Sequence, residues 1–297
     1  MATTTKNTST AASRIGVLKT YKLYIDGKFP RTESGRYLIF KDSKGTPLAN
    51  ICVGSRKDFR DAVVAARKAQ PSWAARSAYN RGQIIYRIAE MLEGRRSQFV
   101  SELQSQGMSA KSAEEEVNVA IDRLVYYAGW SDKFQQVFSA VNPVESSHFN
   151  FSVPEPTGVV SIVAPESSGL VGLVTVIAPA IVGGNTVVVL ASERFPLTAI
   201  TFAEVLHTSD LPGGVVNILT GTSKELVAHF TSHMDVNATI YCGSDQTHIK
   251  TVQVNAALNV KRPFVYSADD WKKEELQSPY RIMDLQEIKT TWHPIGK

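Results

Sequence analysis

The chain has 297 residues, of which 43% are hydrophobic, 9% aromatic and 20% charged. This is the composition of an ordinary globular protein, and it excludes a disordered, collagen-like or low-complexity chain. Thirty-two basic and 28 acidic residues give a formal net charge of +4, scattered along the sequence. Such a balance does not indicate a nucleic-acid partner.

The N-terminal segment and the cysteines favour a cytoplasmic protein. Residues 1–20 contain no acidic residue and lack the continuous apolar segment of a secretory signal, so we predict a disordered tail. No stretch is apolar over the length that a bilayer requires, and we expect no membrane partner. The two cysteines, Cys52 and Cys242, cannot form a disulfide framework and suit a reducing compartment.

After this tail the sequence predicts a short extended region and then helices. Alternation over residues 21–31 surrounds Asp26-Gly27, a two-residue hairpin signal, and a second extended segment covers residues 45–54. Apolar periodicity predicts a helix that starts at Ser55 and is ended by Pro71. Further helices are predicted over residues 81–94, 97–104 and 114–138. Glu114, Glu115 and Glu116 suit a helix N-terminus.

From residue 159 onward, strands and helices alternate regularly. Apolar strands are predicted over residues 159–165, 185–190, 215–221, 237–243 and 262–267. Helices are predicted over residues 170–184, 197–209, 223–233 and 244–258. Strands that are apolar throughout and separated by helices imply a parallel sheet covered on both faces. This is a doubly wound α/β architecture, whose ligands bind at the carboxyl ends of the strands.

Beyond Asp269 the alternation stops, and one extended segment remains at residues 287–296. Its Ile288, Thr290 and Trp292 alternate with polar residues. One strand needs a partner elsewhere, in this subunit or another.

Several stretches resemble the aldehyde dehydrogenase superfamily. The stretches are EPTGVVSIVAP (155–165), APAIVGGNTVVVLASERFPLTA (178–199), LPGGVVNILTG (211–221) and HMDVNATIYCGS (233–244). YIDGKF (24–29) and YYAGWSDKF (126–134) match the family's N-terminal region, and EIKTTWHPIG (287–296) resembles its C-terminal oligomerisation strand.

The resemblance implies a division of the chain. After the predicted tail of residues 1–20, it implies a Rossmann-like, NAD-binding-type domain over residues 21–138 and 157–270. It also implies an oligomerisation β-arm over residues 139–156 and 277–297, in which residues 287–293 pair with residues 149–154. The family's catalytic domain lies between the cofactor domain and the last strand. That segment is missing here, so we expect no nucleophilic Cys. The family's Glu-Leu-Gly-Gly motif, which carries the general base, should follow Lys261-Arg262, but the chain reads Pro263-Phe264-Val265-Tyr266 there, so we expect no general-base Glu either.

The family's functional motifs are altered in this chain. Its Pro-Trp-Asn motif, whose amide stabilises the oxyanion, reads Pro165-Glu166-Ser167. Its Lys-Pro-x-Glu motif, which holds the ribose, reads Leu190-Ala191-Ser192-Glu193. Loss of that Lys is expected to weaken dinucleotide binding roughly 10- to 150-fold.

The pyrophosphate motif Gly-Ser-Thr-x-x-Gly retains only Gly243 and Ser244, followed by Asp245, whose charge repels phosphate. The candidate cofactor-binding residues are therefore Glu193, Gly243 and Ser244. We predict that no cofactor is required and that NAD or NADP binds weakly or not at all.

Two other groups of residues were weighed as sites. Cys242 at a strand end could be a reactive thiol, but a small packing residue without a base nearby is the favoured interpretation. Glu225, His229 and His233 share one helix face and could hold a metal ion. They lack the zincin spacing, so no metal site is predicted.

Three functional hypotheses follow. The favoured one is a non-catalytic structural or regulatory subunit that forms homo-oligomers, or hetero-oligomers with a full-length aldehyde dehydrogenase. Strand addition through the arm depends on the backbone and tolerates sequence divergence. The alternatives are an active NAD(P)-dependent aldehyde dehydrogenase and a weak nucleotide-binding module.

Overall fold

A computed structural model describes residues 16–296. Most of the predicted disordered tail, residues 1–15, lies outside the described residues. Its last residue, Thr20, already belongs to a strand. No helix in the described range is long and apolar enough to cross a membrane.

Within this range the strands, in chain order, are β1 (Thr20–Tyr21), β2 (Tyr37–Lys41), β3 (Pro47–Cys52), β4 (Ala140–Asn142), β5 (His148–Pro156), β6 (Val159–Val163), β7 (Thr186–Leu190), β8 (Val216–Leu219), β9 (Ala238–Cys242), β10 (Arg262–Tyr266) and β11 (Gln286–Pro294).

The helices are α1 (Arg56–Ala74), α2 (Ala78–Gly94), α3 (Arg96–Ser105), α4 (Ala110–Trp130), α5 (Phe134–Phe138), α6 (Val171–Val182), α7 (Pro196–His207), α8 (Ser223–Ser232), α9 (Gln246–Ala257) and α10 (Tyr280–Met283). A 3₁₀ turn covers Glu274–Leu276.

The five predicted apolar strands form one parallel sheet in the order β10-β9-β6-β7-β8. Every residue of β6, β7, β8 and β9 is buried, which agrees with strands that are apolar throughout. The chain first adds β7 and β8 on one side of β6, and then β9 and β10 on the other. This order is the doubly wound Rossmann arrangement, and the predicted fold class is confirmed.

The hairpin predicted at Asp26-Gly27 is present. Both residues have positive φ, 54° and 68°, as a type I′ turn requires. Tyr24 exchanges backbone hydrogen bonds of 2.9 and 2.8 Å with Ile218 of β8, so the hairpin covers that edge of the parallel sheet. The sequence analysis missed β2, because most of its residues are exposed and give no alternation of burial.

The prediction that Pro71 ends the first helix is wrong. Helix α1 runs through Pro71 to Ala74. Two residues after Pro71, the fully buried Trp73 donates its Nε1–H to the carbonyl of Ile181 in α6, at 2.9 Å. Burial of this indole offsets the cost of an interior proline, about 3 kcal/mol.

The prediction for residues 114–138 also needs correction. Helix α4 begins at Ala110, and the Ser109 hydroxyl accepts a hydrogen bond from the backbone N–H of Ser112, so the three glutamates lie beyond the first turn. The helix ends at Trp130, and α5 is a separate short helix. Ser109 is the N-cap that sets the start of α4, and a serine at this position is a signal that the sequence contains.

Strands β11, β5 and β4 form a second, antiparallel sheet, in that order, which we call the arm sheet. Strand β11 pairs with β5 along its whole length, with Ile288 opposite Pro154 and Trp292 opposite Asn150. The predicted pairing of residues 149–154 with 287–293 is therefore confirmed. Within the described residues, β11 is an edge strand, and its outer side has no partner strand.

The connection from β10 to β11 covers only residues 267–285. It is anchored by the buried Arg123 of α4, whose guanidinium donates to the carbonyls of Trp271 (2.9 Å) and Lys273 (3.0 Å). The arm sheet is thus reached directly from the parallel sheet, with no further domain inserted between them.

Candidate functional site

A cavity of about 530 Å³ lies at the carboxyl ends of β6, β9 and β10. After β6 the chain adds β7 on one side and later β9 on the other, so the sheet order reverses at β6. Doubly wound sheets bind their ligands at such a switch point. Its lining residues follow the three strands: Pro165, Glu166, Ser167, Tyr241, Cys242, Gly243, Ser244, Asp245, Tyr266, Ser267, Ala268, Asp269 and Trp271. Of the candidate cofactor residues, the structure brings Gly243 and Ser244 together here, and Glu193 lies outside this lining.

Glu166 replaces the family's aromatic residue and is held by the neighbouring loop. Its carboxylate accepts hydrogen bonds from the Ser192 hydroxyl at 2.7 Å and from the backbone N–H groups of Glu193 and Arg194, both at 3.0 Å. The side chain therefore ties the loop after β6 to the loop after β7. It presents no free donor to the cavity.

Glu193 is also engaged within the chain. One of its carboxylate oxygens accepts from the backbone N–H of Ser223 at 2.8 Å and from the Ser223 hydroxyl at 2.7 Å. Ser223 is the first residue of α8, so the carboxylate of Glu193 caps that helix and meets its positive end.

Asp245 caps α9 in the same manner. Its carboxylate accepts from the backbone N–H groups of Thr247 (2.8 Å) and His248 (2.9 Å). These two hydrogen bonds, the His248 one first, hold the pKa of Asp245 below its usual value and keep it ionised. The N–H groups of the first turn of α9 therefore already have an anionic acceptor.

Gly243 and Ser244 sit just before this cap. The Gly243 N–H donates to the carbonyl of Tyr266 at 3.0 Å. A Cβ at position 243 would lie 2.8 Å from the Tyr241 hydroxyl, so the phenol closes over this glycine from the side that a Cβ would take. The exposed Ser244 hydroxyl has no hydrogen-bond partner among residues 16–296.

A third helix of the parallel sheet is capped from the N-terminal part of the chain. One oxygen of the buried Glu116 in α4 accepts from the Ser168 hydroxyl at 2.6 Å and from the N–H groups of Leu170 (2.9 Å) and Val171 (3.2 Å). These donors lie at the start of α6, directly after β6.

The carboxyl edge thus has one repeated feature: α6, α8 and α9 each begin on a carboxylate of this chain. A dinucleotide would place its diphosphate at such a helix start, where it needs free N–H donors and positive potential. Asp245 and Glu193 supply negative charge there instead. Leu190, at the family's Lys position, is 1% exposed and offers no donor. These residues fit a dinucleotide diphosphate poorly.

The surroundings of Cys242 do not activate its thiol. Complete burial raises the pKa of Cys242 far above its ordinary value, so that its Sγ remains a protonated thiol. Cys52 is buried in the N-terminal sheet. A thiolate nucleophile needs the opposite shift and a nearby base.

The helix α8 residues do not form a metal site. Glu225 instead pairs with Arg36 at 3.0 Å. Within the described part of the chain, no group of three or more His, Cys, Asp or Glu side chains could hold a metal ion.

The caps differ in how far the sequence could reveal them. An Asp directly before a helix is a standard N-cap, so the sequence alone could have indicated that Asp245 caps α9 as well as repels phosphate. Glu116 meets a hydroxyl 52 residues away, and no local pattern announces such a contact.

Comparison with known proteins agrees with the Rossmann-type fold described above. The sequence model described as "Aldehyde dehydrogenase family" matches residues 29–265. The mitochondrial benzaldehyde dehydrogenase of Antirrhinum majus is 32% identical over 247 residues, which cover 81% of this chain and 45% of the relative. Omega-crystallin of Enteroctopus dofleini is 30% identical over 253 residues, 82% of this chain and 50% of the relative.

Solved structures give the same result. The NAD⁺ complex of an aldehyde dehydrogenase from Bacillus cereus superposes with a TM-score of 0.80 at 26% sequence identity. The match covers 84% of this chain and 51% of that chain. The chain thus spans about half the length of the relatives that it matches.

Proposed function

Because the chain belongs to the aldehyde dehydrogenase family, we propose that it is a non-catalytic structural or regulatory subunit. It assembles with itself or with a full-length aldehyde dehydrogenase, through the arm sheet. We place it in the cytoplasm, a compartment that suits its two unpaired cysteines.

The observation that carries this proposal is the arm sheet. Strand β11 is fully paired with β5 on one side, while its other side is an unpaired edge within the described residues. Ile288 and Trp292 on this strand are 53% and 57% exposed. An open edge beside large apolar side chains is a template for strand addition, and proteins normally cover such edges.

The chemistry of the carboxyl edge supports the non-catalytic part of the proposal. At the positions that match the family's motifs there is no thiolate, no oxyanion amide and no general base. Loss of any one typically costs about 10²–10⁴ in rate. The helix start that matches the pyrophosphate motif already holds the carboxylate of Asp245, and Glu193 of the ribose motif is bound to Ser223.

Native mass spectrometry of the protein purified from its own cells tests the assembly. We expect a homo-oligomer, or a complex that contains a full-length aldehyde dehydrogenase. A monomer at micromolar concentration, with neither partner present, would contradict the proposal.

An activity assay tests the absence of catalysis. The isolated chain, incubated with acetaldehyde or benzaldehyde and NAD or NADP, is expected to give no steady production of reduced cofactor. Steady reduction that depends on the aldehyde would show an active enzyme. Its loss in Cys242→Ala would then identify the nucleophile.

A further inference from the structure

A second cavity, of about 610 Å³, lies between the start of α1 and the end of α8. Its lining is Glu33, Ser55, Arg56, Lys57, Phe59, Arg60, His229, Ser232, His233 and Met234. We call it the α1/α8 pocket. It shares no lining residue with the cavity at the carboxyl edge.

The α1/α8 pocket carries an excess of positive charge. Its acidic residue, Glu33, is already bound by the Ser55 hydroxyl at 3.1 Å and by Lys57 at 3.2 Å. Arg60 pairs with Asp61 at 2.7 Å. The guanidinium of Arg56 forms no ion pair or hydrogen bond with any residue in the described range, so its charge is uncompensated.

Two histidines, one helical turn apart, add donors beside this charge. His233 accepts the backbone N–H of Asp235 through Nδ1 at 3.2 Å, which places the ring proton on Nε2 and leaves that donor free. The His229 ring has no hydrogen-bond partner within residues 16–296. Burial first, and then the Arg56 charge, lower the pKa of His229.

His233 also faces other charges. Burial is the largest cause of its lowered pKa, Lys261 and Arg56 act in the same direction, and Asp235 opposes them. Both rings are therefore neutral at pH 7 and remain within the field of Arg56. An anion bound beside them would offset that field.

The floor of the α1/α8 pocket is apolar and aromatic. Phe59 is buried and stacks on Phe230 with ring centroids 4.1 Å apart, and the His233 ring stands edge-on to Phe59 at 5.7 Å. The exposed Met234 side chain lies at the rim. A flat apolar body can rest here while its charged group reaches Arg56.

We propose that the α1/α8 pocket binds a small organic anion, which combines a carboxylate or phosphate group with a flat apolar body. Arg56 pairs with the anionic group, and His229, His233 and Ser232 supply further donors. The volume lies within the range of ordinary small-molecule sites. The proposal does not depend on whether the chain is catalytic or on how it assembles.

Calorimetric titration of the full chain with phenyl phosphate, benzoate, inorganic phosphate and benzyl alcohol tests the site. We expect saturable binding of at least one aromatic anion, with inorganic phosphate and the neutral alcohol at least about tenfold weaker. Comparison of phenyl phosphate with benzoate identifies the preferred anionic group. Arg56→Gln should weaken the aromatic anion at least about tenfold, whereas Lys68→Gln, an exposed change on the same helix, should leave it unchanged.

Nuclear magnetic resonance of the histidine rings gives a second readout. The bound anion should raise the pKa of His229 and His233, and Arg56→Gln without ligand should also raise them. The proposal is overturned if neither aromatic anion binds at millimolar concentration, if inorganic phosphate binds equally well, or if Arg56→Gln leaves affinity unchanged. It is equally overturned if bound probe leaves both rings unaffected.

Discussion

The two sheets of this protein differ in whether their polar groups have partners within the chain. In the parallel sheet, four strands are wholly buried, and three of the helices that follow them start on carboxylates from the same chain. In the arm sheet, β11 has an unpaired side within the described residues and exposes Ile288 and Trp292.

This difference indicates where the protein still has binding capacity. The helix starts that serve a cofactor in this type of fold are satisfied internally, so a ligand must displace a carboxylate to use them. The backbone edge of the arm offers donors and acceptors with nothing to displace. This difference supports our proposal that the interaction surface lies on the arm, while the carboxylates at the carboxyl edge stabilise the helix starts.

The largest expected effect concerns the internal carboxylates. Glu116→Ala leaves the Ser168 hydroxyl and two backbone N–H groups at the start of α6 without their acceptor. Because these groups are buried, we expect the free energy of unfolding to fall by about 3 kcal/mol in urea denaturation. Glu114→Ala, an exposed neighbour on the same helix, is the control and should change stability little. Equal stability of the two variants would show that the α6 cap contributes nothing.

The next effect concerns the arm. Trp292→Arg places a charge on the exposed face of β11, and we expect about 100-fold weaker self-association or partner binding by light scattering. Val137→Arg, an equally exposed valine on α5, should leave association unchanged. An unaltered oligomeric mass in Trp292→Arg would place the interface outside this strand.

The third prediction concerns how stability depends on pH, through a buried lysine at the C-terminal end of α8. Lys261 is buried and donates to the carbonyl of His233 at 2.7 Å, and burial lowers the pKa of Lys261 to about 8. Between about pH 8 and 10 the unfolded chain binds more protons at this residue than the folded chain does. Lys261 should therefore contribute a rise of stability with pH across this window, by up to about 2 kcal/mol. Above about pH 9 this rise is opposed by Cys242, because burial raises its pKa and only the unfolded chain ionises there.

Thermal unfolding at several pH values measures this slope. Lys261→Met should remove it, and Lys273→Met, an exposed lysine, should keep it. Measurements should stop near pH 10, because burial raises the pKa of Tyr24 and Tyr127 to about 12. Ionisation of those phenols in the unfolded chain lowers stability at higher pH. A slope that survives Lys261→Met would assign it to another group.

The smallest expected effect is a gain of cofactor affinity. Asp245→Ser keeps a capping hydroxyl at the start of α9 but removes the charge that repels a diphosphate. We expect NAD to bind up to about tenfold more tightly in fluorescence titration, and still weakly, since Leu190 remains. Asp132→Ser, an exposed change in the turn after α4, is the charge-matched control. Tight binding of NAD to the unaltered chain would contradict the inference that the carboxylates at the helix starts prevent cofactor binding.

The sequence predicted the parallel sheet well, because buried parallel strands are continuous apolar runs such as VVSIV and TVVVL. It also predicted the pairing of the arm strands, through a family resemblance. It failed where distant contacts decide the structure. Pro71 stays helical because Trp73 is buried against α6, and Glu116 caps a helix far along the chain.

The candidate site shows the same limit. Sequence comparison identified Glu193, Gly243 and Ser244 by their positions in motifs, yet Glu193 contacts Ser223 and lies outside the cavity that contains the other two. A carboxylate in a motif gives no indication of which donor it meets after folding. The exposed strand β2 was missed for the related reason that its pattern of burial is weak.

The pairing of β11 with β5 has a consequence for the time at which the protein becomes competent to assemble. The hydroxyls of Ser152 and Thr290, bonded at 2.8 Å, are separated by 138 residues along the chain. Closing so long a loop is entropically costly until the parallel sheet between the two strands has formed. During synthesis, β5 must wait for β11, which leaves the ribosome 138 residues later. The arm sheet therefore forms after the parallel sheet, and a chain whose central sheet has not folded does not yet present the β11 edge that we propose as the interface.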